Sequence, residues 1–306
     1  MADTAFKLLL DGHDTVECCY YLQAPAGKGL DFERLGALRE ALRQGKSKDP
    51  RPITLGGVEF LLQRYGSSRG FPLVLSNADM SIECGEFNDP SFYVIYRSEA
   101  LWRESAFALH ERFLDWARSL GFVEYRPETL SRVDWTFDYY LPEIDFDEDS
   151  LVSLSAKDTK HRKDRQAQGF DFGVGDVRLR MYDKVAEIAE ASLKVWFFDL
   201  WGRDTEVWRI EWQVRKELLR RFGIRTYADL QERQERQERQ GDFLRYLAHE
   251  HDTLRIKTED TNRSRWPLHP LWIDLQDIAF GRCRRNRGKT ESPTASGRSC
   301  HGATYR

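Results

Sequence analysis

Ser131-Arg-Val-Asp-Trp-Thr-Phe-Asp-Tyr139 alternates strictly between polar and apolar residues from Arg132 onward. Successive side chains of an extended strand point to opposite faces. Val133, Trp135, Phe137 and Tyr139 therefore share an apolar face, and Asp134, Thr136 and Asp138 share the other. Two later stretches repeat the pattern. Asp176-Val-Arg-Leu-Arg-Met-Tyr-Asp-Lys184 puts Val177, Leu179 and Met181 on one side and Arg178, Arg180, Tyr182 and Lys184 on the other. Val207-Trp-Arg-Ile-Glu-Trp-Gln-Val-Arg215 divides into Trp208, Ile210, Trp212 and Val214 against Arg209, Glu211, Gln213 and Arg215. A sheet of such strands buries its aromatic face against helices and keeps a polar face of carboxylates, arginines and one tyrosine. Solvated faces of antiparallel sheets are also polar, so one strand alone is ambiguous. Three strands bearing groups suited to one chemistry favour a catalytic face.

The flanking sequence predicts an α+β fold with an antiparallel-rich central sheet, helices packed on one face, a polar catalytic face and a C-terminal helical segment. Residues 14–22, 58–64, 71–75, 80–84 and 92–96 read as strands. A short helix is expected over 32–43, capped by Asp31. The clearest helix spans 99–120, where Leu109, Phe113, Trp116 and Leu120 form one stripe and Gly121 ends it. Helices are also expected over 185–200, 217–222 and from Tyr227 onward. The last includes the triplet repeat Gln231-Glu-Arg-Gln-Glu-Arg-Gln-Glu-Arg-Gln240, whose period of three suits a solvated helix. The domain reading is a catalytic domain over 1–226, a helical segment over 227–280 and a basic, disordered tail over 281–306.

The bulk numbers narrow the classes. The 306-residue chain is 41% hydrophobic and 13% aromatic with nine Trp, enough for a sizeable core. No apolar stretch approaches the roughly 18 residues of a membrane span. The N-terminus lacks a signal-peptide pattern. A cytoplasmic protein without a membrane partner is expected. The five cysteines contain no Cys-x-x-Cys pair and predict neither disulfides nor a zinc site. Net charge is −3, which disfavours a uniformly basic nucleic-acid coat while leaving local basic patches open. Charge is blocky: 143–149 holds five acids, and 157–165 holds five bases and a histidine against two acids. The latter reads as a basic loop able to grip a DNA backbone through Lys160, Arg162 and Lys163.

The polar face has a definite chemical capacity. Carboxylates of neighbouring strands can hold Mg2+ or Mn2+ through hard oxygen ligands. Arginines neutralise charge on a phosphodiester, and a tyrosine can attack phosphorus to give a phosphotyrosine. A phenol of pKa near 10 needs nearby cations to act as phenolate. His249-Glu-His251 suggests a metal motif, but i and i+2 do not share a helical face. No phosphate-binding Gly-x-x-x-x-Gly-Lys-[Ser/Thr] loop occurs, so DNA unwinding would fall to a separate helicase.

The ordered triple of motifs, with Gly169-Phe-Asp-Phe-Gly-Val-Gly175 leading into the tyrosine strand and Leu218-Leu-Arg-Arg-Phe-Gly-Ile224 after the third, resembles the Rep_trans-type replication initiation factors of rolling-circle plasmids and some phages. The similarity covers roughly residues 10–275. It implies metal-dependent nicking of one strand of origin DNA, with Tyr182 as nucleophile, a 5′-phosphotyrosine, and a 3′-OH primer. On this reading Arg180 and Lys184 assist catalysis. Asp134, Glu211 and Asp138 bind Mg2+ or Mn2+. Arg178, Arg209, Arg215, Lys160, Arg162 and Lys163 contact DNA. Origin DNA, a host helicase, a DNA polymerase and a second copy in a homodimer are the implied partners. A conjugative relaxase of related fold and a DNA-binding regulator with a decayed face are the alternatives. The chain departs from the family pattern at Gly173-Val-Gly-Asp176, where many members carry Gly-Ser-Arg.

Overall fold

In chain order, alternating sequence becomes long strands, and the apolar stripes become helices. The computed structural model describes residues 6–46, 48–155, 158–163, 166–236 and 238–287, with the side chains of 156–168, 232–241 and 280 onward outside that description. The elements are β1 (Lys7–Gln23), α1 (Phe32–Gln44), β2 (Arg51–Leu55), β3 (Val58–Leu62), β4 (Leu73–Ser76), β5 (Met80–Cys84) and β6 (Phe92–Tyr96). Next come α2 (Ser98–Arg103), α3 (Ala106–Ser119), β7 (Val123–Tyr140), β8 (Leu151–Ser153), β9 (Asp158–Lys163), β10 (Gln166–Phe172) and β11 (Val177–Asp183). The chain continues with α4 (Lys184–Glu187), α5 (Phe197–Trp201), β12 (Val207–Arg215), α6 (Lys216–Arg221), α7 (Tyr227–Arg236), α8 (Glu238–Arg245), β13 (Asp252–Leu254) and α9 (Pro270–Arg287).

Among the described residues, eleven strands form one sheet in the order β2-β3-β4-β5-β6-β1-β7-β12-β11-β10-β9. Every neighbouring pair is antiparallel. The three motif strands are adjacent at the heart of the sheet, as β7-β12-β11. The fold is thus α+β with a large antiparallel sheet, as expected.

One apolar face carries the core. Phe92 and Trp116 of α3 pack at 6.4 Å between ring centroids, Trp135 meets Phe243 at 4.9 Å, and Trp212 meets Trp272 of α9 at 5.6 Å. Residues from α1, α3, α7, α8 and α9 share a single cluster with the strands, so the C-terminal helices close the same core as the N-terminal ones. The opposite face is partly covered by the α4–α5 segment, where Ile188, Phe197, Trp201 and Val207 form a second small cluster.

Several boundaries differ from the sequence reading for identifiable reasons. The helix expected over 99–120 is two helices: the Ser105 hydroxyl accepts from the Ala108 N–H at 3.1 Å and starts a new one. The helix expected over 185–200 breaks after one wide turn, where Leu193 adopts a left-handed conformation. The basic stretch read as a loop is strand β9, paired with β10. Helix α9 continues to Arg287, past the expected start of the tail, and 288–306 lie outside the described residues. The triplet repeat spans α7 and α8; its side chains also lie outside the description.

Candidate active site

Strand register builds the site in rows across the sheet. One row runs Asp138 (β7), Arg209 (β12), Tyr182 (β11) and Gly169 (β10). The next runs Gly12 (β1), Thr136, Glu211, Arg180 and Asp171. The third includes Asp134, Gln213 and Arg178. Gly169 leaves room for the tyrosine, since a Cβ there would meet the Tyr182 Cβ at 2.8 Å.

The Tyr182 hydroxyl donates to Glu211 Oε2 at 2.9 Å, and Arg180 Nη1 donates to the other Glu211 oxygen at 3.2 Å. The Arg180 guanidinium lies 4.7 Å from the Tyr182 ring centroid. Asp171 orders the arginine row: its oxygens accept from Arg178 Nη2 at 2.5 Å and from Arg180 Nε at 3.3 Å. Asp134 is held by Arg132, whose Nε donates to Oδ1 at 2.8 Å and whose Nη2 bonds Oδ2, while Arg132 Nη1 reaches Glu17 at 3.1 Å.

Burial sets the electrostatics. Tyr182 is only 9% exposed, and burial first, then the Glu211 carboxylate, pushes its phenol well above the usual range against the opposing pull of Arg209 and Arg180. Burial pushes the Asp134 carboxyl up to about 7; the Arg132 contact lowers it and the nearby Glu211 carboxylate raises it further. Lys184 is lowered by burial and by Arg209.

The polar face is therefore far less open than its alternation suggests, and two expected roles fail. Arg209 is completely buried, clamped on Asp138 by Nε at 2.6 Å and Nη2 at 2.8 Å and on Asp14 by Nη1 at 2.7 Å, so it cannot reach a DNA phosphate. Asp138 is likewise closed, because its Oδ2 also accepts from Trp201 Nε1 at 2.9 Å. Asp134 and Glu211 are paired too, but with partly exposed arginines, whereas the Arg209 that neutralises Asp138 is completely buried and cannot swing aside, so Asp138 is closed to a metal. Lys184 lies beside the site, 5.5 Å from the Tyr182 ring centroid, with its ammonium on Glu187 at 2.6 Å. Arg178 and Arg215 stand at the open end of the face. Lys160, Arg162 and Lys163 are on β9, and their side chains lie outside the described residues. His251 is engaged with Asp252 at 2.9 Å.

Asp14, Arg132 and Asp171 escaped the sequence reading. Asp14 sits where β1 shifts register between His13 and Thr15, and it also accepts from the Ser98 hydroxyl at 2.7 Å. Burial opposes its ionisation, but Arg209, Lys194 and Lys184 outweigh that and hold it well below the carboxylate range. Asp171 could have been found from the alternation of Phe170, Asp171 and Phe172 just before the tyrosine strand. Arg132 has the parity of Asp134 and was legible in the opening motif.

Asp134 and Glu211 fit a hard divalent cation: both are buried carboxylates on adjacent strands, mutually repelling, with arginines as their present counter-charges. Mg2+ needs only one or two carboxylates when substrate phosphate and water complete the shell. Among the described residues no group of three or more His, Cys, Asp and Glu is placed to hold a metal.

A solved structure, that of the rolling circle replication initiator protein from Geobacillus stearothermophilus, superposes with a TM-score of 0.50 over 90% of this chain and 97% of that chain, at 16% identity. The two share a fold. No protein-family model and no curated protein matches the chain.

Proposed function

We propose that this chain is a replication initiator that nicks and rejoins one strand of origin DNA by transesterification at Tyr182. The observation that carries the reading is the Tyr182 hydroxyl, hydrogen-bonded at 2.9 Å to a buried carboxylate and flanked by Arg180, on a fold shared with a rolling circle initiator. A nucleophile needs a proton acceptor in hydrogen-bond reach, and Glu211 is one. The Tyr182 oxygen attacks phosphorus as its proton passes to Glu211. The bond from phosphorus to the 3′ oxygen breaks, that oxygen takes a proton from water, and the 5′ phosphate stays on the tyrosine. Arg180 and Arg178, held in line by Asp171, lie on the same face to meet the phosphate charge. Mg2+ or Mn2+, seated on Asp134 and Glu211, would supply further polarisation of the phosphodiester. A helicase and a polymerase would then act on the nicked product, and a homodimer is one assembly in which both strands could be handled.

The decisive experiment incubates full-length protein with supercoiled plasmid carrying the origin of its own replicon, with Mg2+ or Mn2+ present. Wild type is expected to give open circles and a covalent DNA adduct that maps to Tyr182. Tyr182→Phe is expected to lose at least about a thousandfold in cleavage, the scale for removing an essential catalytic group. Undiminished nicking by Tyr182→Phe overturns the assignment.

A further inference from the structure

At the far end of β11 and β12 from the tyrosine, the polar face opens into a cavity of about 310 Å3. Its lining includes Gly173, Val174, Arg178, Gln213 and Arg215. We propose that it is a nucleotide subsite for single-stranded DNA, with Gln213 reading a base and Arg178 and Arg215 holding the backbone beside it. The proposal rests on the nicking reading and adds a base-selective contact to it.

Gln213 is the main observation. It is 8% exposed, it lies between Asp134 and Arg178 in the sheet register, and its side-chain amide has no hydrogen-bond partner among the described residues. An amide carries two donors and one acceptor, and those of Gln213 are not sealed from solvent but open into the cavity, where a ligand can meet them. The cavity is where those bonds can be made. A glutamine amide is also the group that pairs bidentately with an adenine edge.

The surroundings suit a nucleotide. Arg215 is exposed and has no carboxylate partner among the described residues, so its guanidinium is available to a phosphate. Arg178 is pinned by Asp171 on the same side. Val174, 75% exposed at the tip of the turn, offers an apolar wall to the flat face of a base. The turn must stay bare at Gly173: its φ is +94°, and a Cβ there would collide with the Val177 carbonyl oxygen. Side chains on one face of a strand repeat every ~7 Å, so Arg178 lies about 14 Å from Tyr182 along β11. The base read here would be a few nucleotides from the scissile phosphate, on the same strand.

The test is fluorescence anisotropy with full-length protein and 5′-labelled 12-mers of dA, dC, dG and dT, in EDTA so that no cleavage intervenes. Wild type is expected to bind the dA 12-mer about tenfold more tightly than the others. Gln213→Ala should level the four affinities, and Gln213→Glu should move the preference to dC, whose amino group a carboxylate accepts. Arg215→Gln should weaken all four alike and reduce the salt slope by about 0.7. An unranked wild type, or a ranking that survives both Gln213 variants, overturns the base-reading role. Competition by free dAMP as effective as by the dA 12-mer overturns the strand subsite in favour of a mononucleotide site. Thermal melts of each variant separate lost recognition from lost folding. Tyr182→Phe run in parallel separates the two readings: a base ranking shared by that variant stands even if its nicking is normal.

Discussion

Arg209 and Tyr182 are direct register partners with opposite fates. The arginine is sealed between Asp14 and Asp138, whereas the tyrosine, also buried, gives its hydroxyl to the Glu211 carboxylate. Replacing Arg209 by Met leaves two carboxylates buried without their counter-charge. That loss is expected to cost about 3–5 kcal/mol, measurable as a shift in the urea unfolding midpoint. A change within about 0.5 kcal/mol would show that the clamp has no structural weight. His110 gives a pH signature. Its Nδ1 lies 2.8 Å from the Tyr20 hydroxyl, and burial holds the imidazole down at about 4. The unfolded chain, with a histidine pKa near ~6.5, binds more protons between these values. The neutral, buried His110 thus contributes stability that is full above pH ~6.5 and is lost as pH falls toward about 4. Unfolding free energies of wild type and His110→Phe at pH 7, 6, 5 and 4.5 should converge as pH falls. Parallel curves would assign the acid sensitivity to other groups.

The elements show where local pattern suffices and where it does not. The stripe Leu109, Phe113 and Trp116 identifies α3 from spacing alone, because that spacing is a property of one helix. The break before α3 depends on Ser105 capping a new helix, which the longer apolar rhythm hides. The motif strands were legible because burial on a single face enforces period two. Strand β9 was not, because its charged sequence lacks that rhythm and its pairing with β10 is a tertiary event. Helix α9 anchors the C-terminal segment through Trp272, which is fully buried against Trp212 and donates from Nε1 to the Ala248 carbonyl at 2.8 Å. Trp272→Ala is expected to destabilise the whole sheet by about 3–5 kcal/mol, read as one cooperative transition at lower denaturant. A separate early transition confined to the C-terminal helices would mean instead that they fold as their own unit.

At the scale of the molecule, net charge of −3 coexists with arginines gathered along one sheet face. Among the described residues Arg132, Arg178, Arg180 and Arg215 line the open part of that face, while Arg209 is withdrawn from it. If these four are the phosphate contacts, binding of a single-stranded oligonucleotide should follow a log–log salt slope of about −3, at roughly −0.7 per contact. A titration from 50 to 300 mM KCl checks this, and a slope steeper than about −6 would require a second basic surface. No described helix is long and apolar enough to cross a membrane.

The opening motif carried its own orientation: alternation assigns Asp134, Tyr182 and Glu211 to the polar side because the geometry of a strand is local. It also implied an antiparallel sheet with helices on the apolar face. Which polar residues remain available was beyond any local rule. Asp138 and Asp134 share one strand, one parity and full burial, yet α5 and the buried Arg209 close the first, while the second is held by the partly exposed Arg132. Register across β7, β12 and β11 chose the partners, and a bulge in β1 brought in Asp14. Both are long-range contacts, set by packing of distant segments and invisible to periodicity.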